Sequence, residues 1–195
     1  MGKLLPLPPG PRITWSLDLI NNLGPPTGPK RHLLAAICCY SKFCILQLLP
    51  DKTSSTVAAA LKHRLFGVFG APAHVRTDNG TEFAGATAAL LAAYKVHHHH
   101  TSPYTSHSNG QVERLHRTVE TLLRRCLVTA PHSTWDQLVP DVQLAINTTY
   151  ARSIGCPPYL VMFGTTPPAA TAIPDPTTTS VSTYAHAIQR QIATI

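Results

Sequence analysis

Between His32 and Leu49 the chain carries two apolar runs, HLLAAICCY and FCILQLL, separated by Ser41-Lys42. A strand with one wet face alternates apolar and polar residues, whereas continuous hydrophobicity means burial on both faces. Two such strands joined by a tight turn read as a hairpin in the middle of a covered sheet. The segment before them, ITWSLDLI, is rich in β-branched and aromatic residues and stops at the turn cluster NNLGPPTGPK. It predicts a first strand with Asp18 near its end.

After Leu49 the period of the pattern changes. Val57, Leu61, Leu65 and Val68 recur at three and four residues, which predicts a helix over Thr53 to Phe69 with Asp51 or Thr53 as its N-cap. Ala71-Pro72 breaks that helix, HVRT predicts a short strand, and Asp78-Asn79-Gly80 is a turn signal at its carboxyl end. A helix over Ala84 to Tyr94 and a brief strand within Lys95 to Thr101 follow. The Ser, Pro, His and Gly-rich stretch TSPYTSHSNG then reads as a loop, before a long helix beginning at Gln111. Ser108 and Gln111 are spaced as a capping box for that helix, and Val112, Leu115, Val119, Leu122 and Leu123 form its apolar stripe. A last helix is expected from Thr134 to about Asn147, kinked at Pro140.

This order describes an α/β fold, a five-stranded mixed sheet flanked by helices. Residues 1–11 form a Pro-rich lead-in, residues 12–168 the folded core, and residues 169–195 a linker with one short helix over Tyr184 to Ile195. In sheets of this kind ligands collect at the carboxyl ends of strands, so Asp18 and Asp78 are candidate neighbours despite their separation in sequence.

Composition narrows the partners. Lys and Arg number 16 against 9 Asp and Glu, giving a formal charge of +7, which suits a polyanion but is also common among basic proteins with no such partner. Five cysteines without a CxxC pair fit neither a disulfide framework nor a zinc ribbon. The longest apolar run, Leu33 to Cys39, falls far short of the roughly 20 residues that cross a bilayer, so no membrane partner is expected.

Of the nine acids, Asp51, Asp136, Glu120 and Asp175 have ordinary readings as helix-start, paired or tail residues. Asp18 does not, because a carboxylate between Leu17 and Leu19 in a strand is costly unless paired or metal-bound. Asp78 taken alone is a solvated turn residue. Carboxylates brought together repel unless divalent cations neutralise them, and oxygen donors without a His or Cys cluster favour Mg²⁺ or Mn²⁺. Two ions about 4 Å apart can clamp the attacking and leaving oxygens of a phosphoryl transfer.

The segments WSLDLI, RTDNGTEF and SPYTSHSNGQVERLHRTVETLL resemble the three blocks of the integrase core of retroviruses and Gypsy-class (Ty3/Gypsy-like) retrotransposons, a branch of the RNase H-like superfamily. IGCPPYLVMFGTTPP resembles the stretch that follows the core in Gypsy-type elements, so the likeness runs from about Ile13 to Pro168. The resemblance implies an RNase H-like fold and an enzyme that trims DNA ends and inserts element DNA into target DNA. It implies Asp18, Asp78 and Glu113 as ligands of two Mg²⁺ or Mn²⁺ ions, with water and then a DNA 3′-hydroxyl as nucleophile. It also implies a mobile loop from Thr101 to Gly110 by the DNA end, homo-oligomers, and a place of work in the host nucleus or in a virion or virus-like particle.

DNA contacts are expected from Asn79, Ser108, Asn109 and Gln111 near that loop, and from Arg114 and Arg117 on the helix that carries Glu113. The bland reading of the arginines, with Arg124 and Arg125, is a solvated helix face. The spacing from Asp78 to Glu113 is one residue shorter than is usual in the family, and Cys38-Cys39 stands where many members have an Asp-Arg pair.

His97 to His100 suggest a metal, but strand alternation lets at most two share an ion, with neighbours that the sequence does not identify. A structural role is the simpler expectation. Trp15 and Trp135 read as core or interface residues. Two other functions compete: a domesticated, integrase-derived DNA-binding or scaffold protein that keeps the fold without catalysis, and a ribonuclease H-type nuclease. The complete Asp, Asp, Glu set argues against the first, and the SNGQVER block against the second.

Overall fold

The computed structural model describes residues 8–23, 31–100, 106–129 and 135–167, with side chains described except at 22–23, 106–113 and 127–129. Five strands, β1 Thr14–Leu23, β2 Arg31–Cys38, β3 Cys44–Leu49, β4 His74–Thr77 and β5 His97–His100, form one sheet in the order β3-β2-β1-β4-β5. β1 runs antiparallel to β2 and parallel to β4, and β4 runs parallel to β5, so the sheet is mixed, as the sequence predicts. Leu33 to Cys38 are all buried, in keeping with a strand covered on both faces.

β1 is longer than its pattern suggests. Leu23 pairs with Arg31 across an irregularity after Ile20, and the Asn21 amide oxygen meets His32 Nδ1 at 2.8 Å. Cross-strand pairing thus holds Asn21 and Asn22 extended against their turn preference. Asp18 consequently lies in the middle of β1 and not near its end.

The first helical region also departs from its pattern. Helix α1, Ser54–Ala60, starts at Thr53, whose hydroxyl accepts the Thr56 N–H. It continues as a π-helical stretch, Leu61–Phe66, and ends in the short α2, Gly67–Phe69. The Gly67 N–H reaches Lys62 O, five residues back. This wider turn rotates whatever follows it. Val57, Leu61 and Leu65 are buried as expected, but Phe66 takes the next inward place, and Val68 is 66% exposed. Gly70, with φ +80° and ψ 163°, then turns the chain toward β4 through a conformation that side chains resist.

Helix α3, Gly85–Ala93, follows a single 3-10 turn, Thr81–Phe83. The buried Thr87 hydroxyl lies 2.9 Å from Ser54 O and 2.8 Å from Glu82 O, tying α3 to the start of α1 and to that turn. Helix α4, Ser106–Thr129, begins five residues before the expected Gln111. Ser108 is therefore inside the helix and cannot be its N-cap, and half of the expected loop is helical. No proline after Pro103 opposes the earlier start.

Internal contacts divide the chain into two units, residues 1–40 with 45–116, and residues 41–44 with 117–195. The first holds the sheet except for Cys44 at the start of β3, α1 to α3 and the start of α4. Its core includes Trp15, Leu17, Leu33, Val57, Leu61, Val75, Phe83 and Leu91, each burying about 1.5–3 kcal/mol of apolar transfer free energy. The second unit holds the rest of α4, with Val119 and Leu123 buried, α5, Trp135–Thr148, with Pro140 inside it, and α6, Pro158–Phe163. Within this unit Asn147 closes a two-bond clasp on Cys44: its amide donates to Cys44 O and its oxygen accepts the Cys44 N–H, both at 2.8 Å. Phe43 packs edge-on against Phe163 and tilted against Tyr159. The expected C-terminal helix lies outside the described residues.

Candidate active site

The parallel register of β1 and β4 brings two of the expected acids together. Thr14 pairs with His74, Trp15 with Val75 and Ser16 with Arg76. The partners in each pair differ by sixty positions, as Asp18 and Asp78 do. The ladder ends at Ser16 and Arg76, and Asp78 follows the last residue of β4, near enough to Asp18 for its charge to act on that carboxyl. On its other side Asp18 pairs with Ala35 of β2.

Asp18 is half-buried, and its Oδ1 accepts the Leu19 N–H at 2.7 Å. Burial pushes its carboxyl above the ordinary range. His116 and the Leu19 N–H act against that, while the negative charges of Asp78 and Glu82 reinforce it. His116 Nε2 stands 3.4 Å from Asp18 Oδ2, close enough for charge attraction but outside hydrogen-bond geometry, and among the described residues that buried nitrogen has no other partner. Among the described residues, Asp18 is thus a carboxylate whose burial is only partly compensated.

Asp78 follows β4 directly and is exposed. Its Oδ1 accepts the Gly80 N–H at 2.9 Å, closing the turn that the Asp-Asn-Gly sequence announces. Its backbone is braced from two sides. The Thr77 hydroxyl donates to Asp78 O at 2.7 Å and meets His98 Nε2 at 2.9 Å, while His100 Nδ1 lies 3.3 Å from the same carbonyl.

Glu113 lies on α4 at its eighth residue, in the third turn of the helix, and its side chain is outside the described set, as are those of Ser108, Asn109 and Gln111. Asn79 is exposed in the turn beside Asp78, and Arg114 is exposed on α4. Arg117, also exposed, belongs to the second unit.

Sequence reasoning missed two residues here. Glu82 sits in the 3-10 turn four residues after Asp78, near enough for its charge to raise the Asp18 carboxyl. His116, on the helix that carries the arginines, is the side chain that meets Asp18. The repeated acids of RTDNGTEF could have indicated the first, whereas nothing local indicates the second.

The donor chemistry fits a hard divalent cation. Asp18 is a partly desolvated carboxylate that the charges of Asp78 and Glu82 repel, and a cation there would relieve that cost. Among the described residues, no group of three or more His, Cys, Asp and Glu side chains is arranged to hold a metal ion.

The sequence model of the family described as Integrase core domain matches residues 8–106, just over half of the chain. The chain belongs to that family. It is 32% identical over 158 residues to the Pro-Pol polyprotein of Simian foamy virus type 3 (strain LK3), covering 80% of this chain and 14% of the polyprotein. It is 28% identical over 165 residues to the Gag-Pol polyprotein of Woolly monkey sarcoma virus, covering 81% of this chain and 9% of that one. The integrase core thus spans a small part of each relative.

Among solved structures the chain is similar to one in the simian T-cell lymphotropic virus intasome in complex with PP2A regulatory subunit B56 gamma. The TM-score is 0.71 at 21% identity, over 85% of this chain and 58% of that one. It is also similar to the HTLV-2 integrase catalytic core domain in complex with magnesium (trimeric form), with a TM-score of 0.66 at 20% identity, over 79% and 98%. These likenesses give the integrase core its RNase H-like fold, as the sequence blocks imply.

Proposed function

We propose that this integrase core, taken as residues 12–168, is a polynucleotidyl transferase that inserts element DNA into target DNA. The observation that carries the reading is that Asp78 and Glu82 lie near enough for their charges to raise the already desolvated carboxyl of Asp18, beside parallel strands β1 and β4. Asp18, Asp78 and Glu113 would hold two Mg²⁺ or Mn²⁺ ions, and the magnesium complex of the HTLV-2 core supports a divalent metal. Such ions supply Lewis acidity and charge neutralisation at the scissile phosphate.

The chain's own residues keep that place ready. The Asx turn at Gly80 and the bracing of Asp78 O fix one carboxylate to a strand end, and the β1 ladder fixes the other. Position is the main protein contribution to a reaction that needs no covalent intermediate. In end trimming a water oxygen attacks the phosphorus and the 3′-oxygen of the trimmed strand leaves. In strand transfer that new 3′-hydroxyl attacks a target phosphodiester, so one P–O bond forms as another breaks. Asn79, Ser108, Asn109, Gln111, Arg114 and Arg117 are the proposed DNA contacts, and contacts to phosphate would suit an enzyme accepting many target sequences.

The intasome and the dimeric and trimeric HTLV-2 cores support assembly of this chain with itself on DNA. The host nucleus is the proposed site of action and the virion or virus-like particle the carrier. Among the described residues no helix is long and apolar enough to cross a membrane.

The test is joining of branched DNA oligonucleotides in Mg²⁺ or Mn²⁺, comparing the chain with Glu113→Gln. Metal-dependent joining that the substitution abolishes is expected. DNA binding without joining under either ion would instead assign a domesticated scaffold, and joining that survives Glu113→Gln would remove Glu113 from the site.

A further inference from the structure

β5 is one edge of the sheet and consists of four histidines. Alternation sends His98 and His100 to the face where they brace the end of β4, and His97 and His99 to the other. On that second face the register sets His74 beside His97 and Arg76 beside His99. The His74 ring stacks on His97 and is tilted against His99, each at 5.2 Å between centroids, and His74 Nδ1 lies 3.1 Å from His99 Nε2. The neighbour that the sequence could not supply for the histidine run is therefore His74, 23 positions before His97.

Two imidazole nitrogens this close share either a proton or an ion. With zinc to nitrogen bonds of about 2.0–2.1 Å, two ligands on one ion stand roughly 2.9 Å apart at a right angle and roughly 3.4 Å apart at the tetrahedral angle. The observed 3.1 Å lies between these limits, so the strands need not move and ring rotation alone would aim both lone pairs.

We propose that His74 and His99 form a surface site for a borderline divalent transition-metal ion, Zn²⁺ or a first-row neighbour, with water completing the shell. Imidazole donors suit such ions, while Mg²⁺ and Mn²⁺ seek oxygen, so this site and the carboxylates take different metals. Partial desolvation, followed by the nearby His74, Arg76 and His97, holds the His99 imidazole below its ordinary range, so it is neutral and ligand-ready at neutral pH. Arg76 on the same face opposes the cation and limits the affinity. An ion there would clip β5 to β4 on the side opposite the Asp78 brace.

The test is a Zn²⁺ titration of the whole chain without a histidine tag, followed by imidazole ¹H–¹⁵N NMR. One saturable event should move the His74 and His99 resonances together, leave those of His98 and His100 in place, and survive excess Mg²⁺. His74→Ala and His99→Gln should each weaken binding by about tenfold or more, His98→Ala by less than about twofold, and Arg76→Gln should tighten it a few-fold, roughly. Absent saturation, unchanged affinity in His99→Gln, or a response confined to His98 and His100 would overturn the site. His99 is exposed on an edge strand, so its variant stays informative even where His74→Ala does not fold.

Discussion

Replacing Asn147 by alanine should be among the most damaging single changes to the second unit. Asn147 is 2% exposed, Cys44 is fully buried, and two 2.8 Å hydrogen bonds join the side chain of one to the backbone of the other. Two neutral hydrogen bonds contribute only about 1 kcal/mol each when both partners otherwise meet water. Here the amide and carbonyl of Cys44 would lose their partner inside the protein, and stranding such groups costs about 1–3 kcal/mol apiece. The carbonyl tolerates this better than the N–H, so the expected total is near 3 kcal/mol, within a range of about 2–5.

For a chain of this size that corresponds to a fall in Tm of roughly 6–12 °C. Urea unfolding followed by circular dichroism should show a lower midpoint at unchanged slope. Asn147→Asp separates the two bonds, because it keeps the acceptor for Cys44 N–H and sets a carboxylate against Cys44 O. Its loss should exceed that of alanine at pH 7 and shrink on acidification. A shift below about 0.5 kcal/mol for Asn147→Ala would refute the reasoning, since that is the scale of an ordinary surface change.

Asp18→Asn should abolish joining yet stabilise the ion-free fold at neutral pH. Burial raises the folded carboxyl above its unfolded value, so the stability that the protonated acid gives is fully present below the unfolded pKa and is lost as pH rises through the folded one. Urea midpoints of the two proteins should therefore converge near pH 3 and separate toward pH 7, with Mg²⁺ narrowing the gap, and equal midpoints at pH 7 without metal would contradict this account. Leu65→Ala should cost about 2–5 kcal/mol by leaving a cavity, whereas Val68→Ser should stay within about 0.5 kcal/mol, although the periodicity places both on one stripe. Thermal unfolding of the pair tests where the π-helical stretch turns the helix.

What could be read from the sequence depended on how local the cause was. The unbroken apolar run of β2 announces a strand covered on both sides, and Asp18 is conspicuous because leucines flank it. Asp78 carries no such mark, since a solvated turn and a metal ligand have the same local sequence, and its nearness to Asp18 comes from the parallel pairing of β1 with β4, which no local pattern records. Val68 was misjudged because one wide turn rotates the helix after Leu61, a change that no spacing of apolar residues records. Asn147 looked like the end of a helix, because its partner is 103 positions away. The length of β1 was hidden by Asn21 and Asn22, turn formers that a neighbouring strand keeps straight.

The sixty-residue offset between β1 and β4 makes the sheet a gauge. What brings the two aspartates near one another is where β4 enters the ladder, and the chain between them, a hairpin and a crossover, takes no part in that measurement. Residues inserted in the Gly70–Ala73 connection should leave the carboxylates aligned, while deleting one residue within β4 would turn Asp78 to the opposite face. For grafting a tag or a targeting segment into this integrase core, the permissive places are therefore the joints between strands, and the forbidden ones are the few rungs on either side of Asp18.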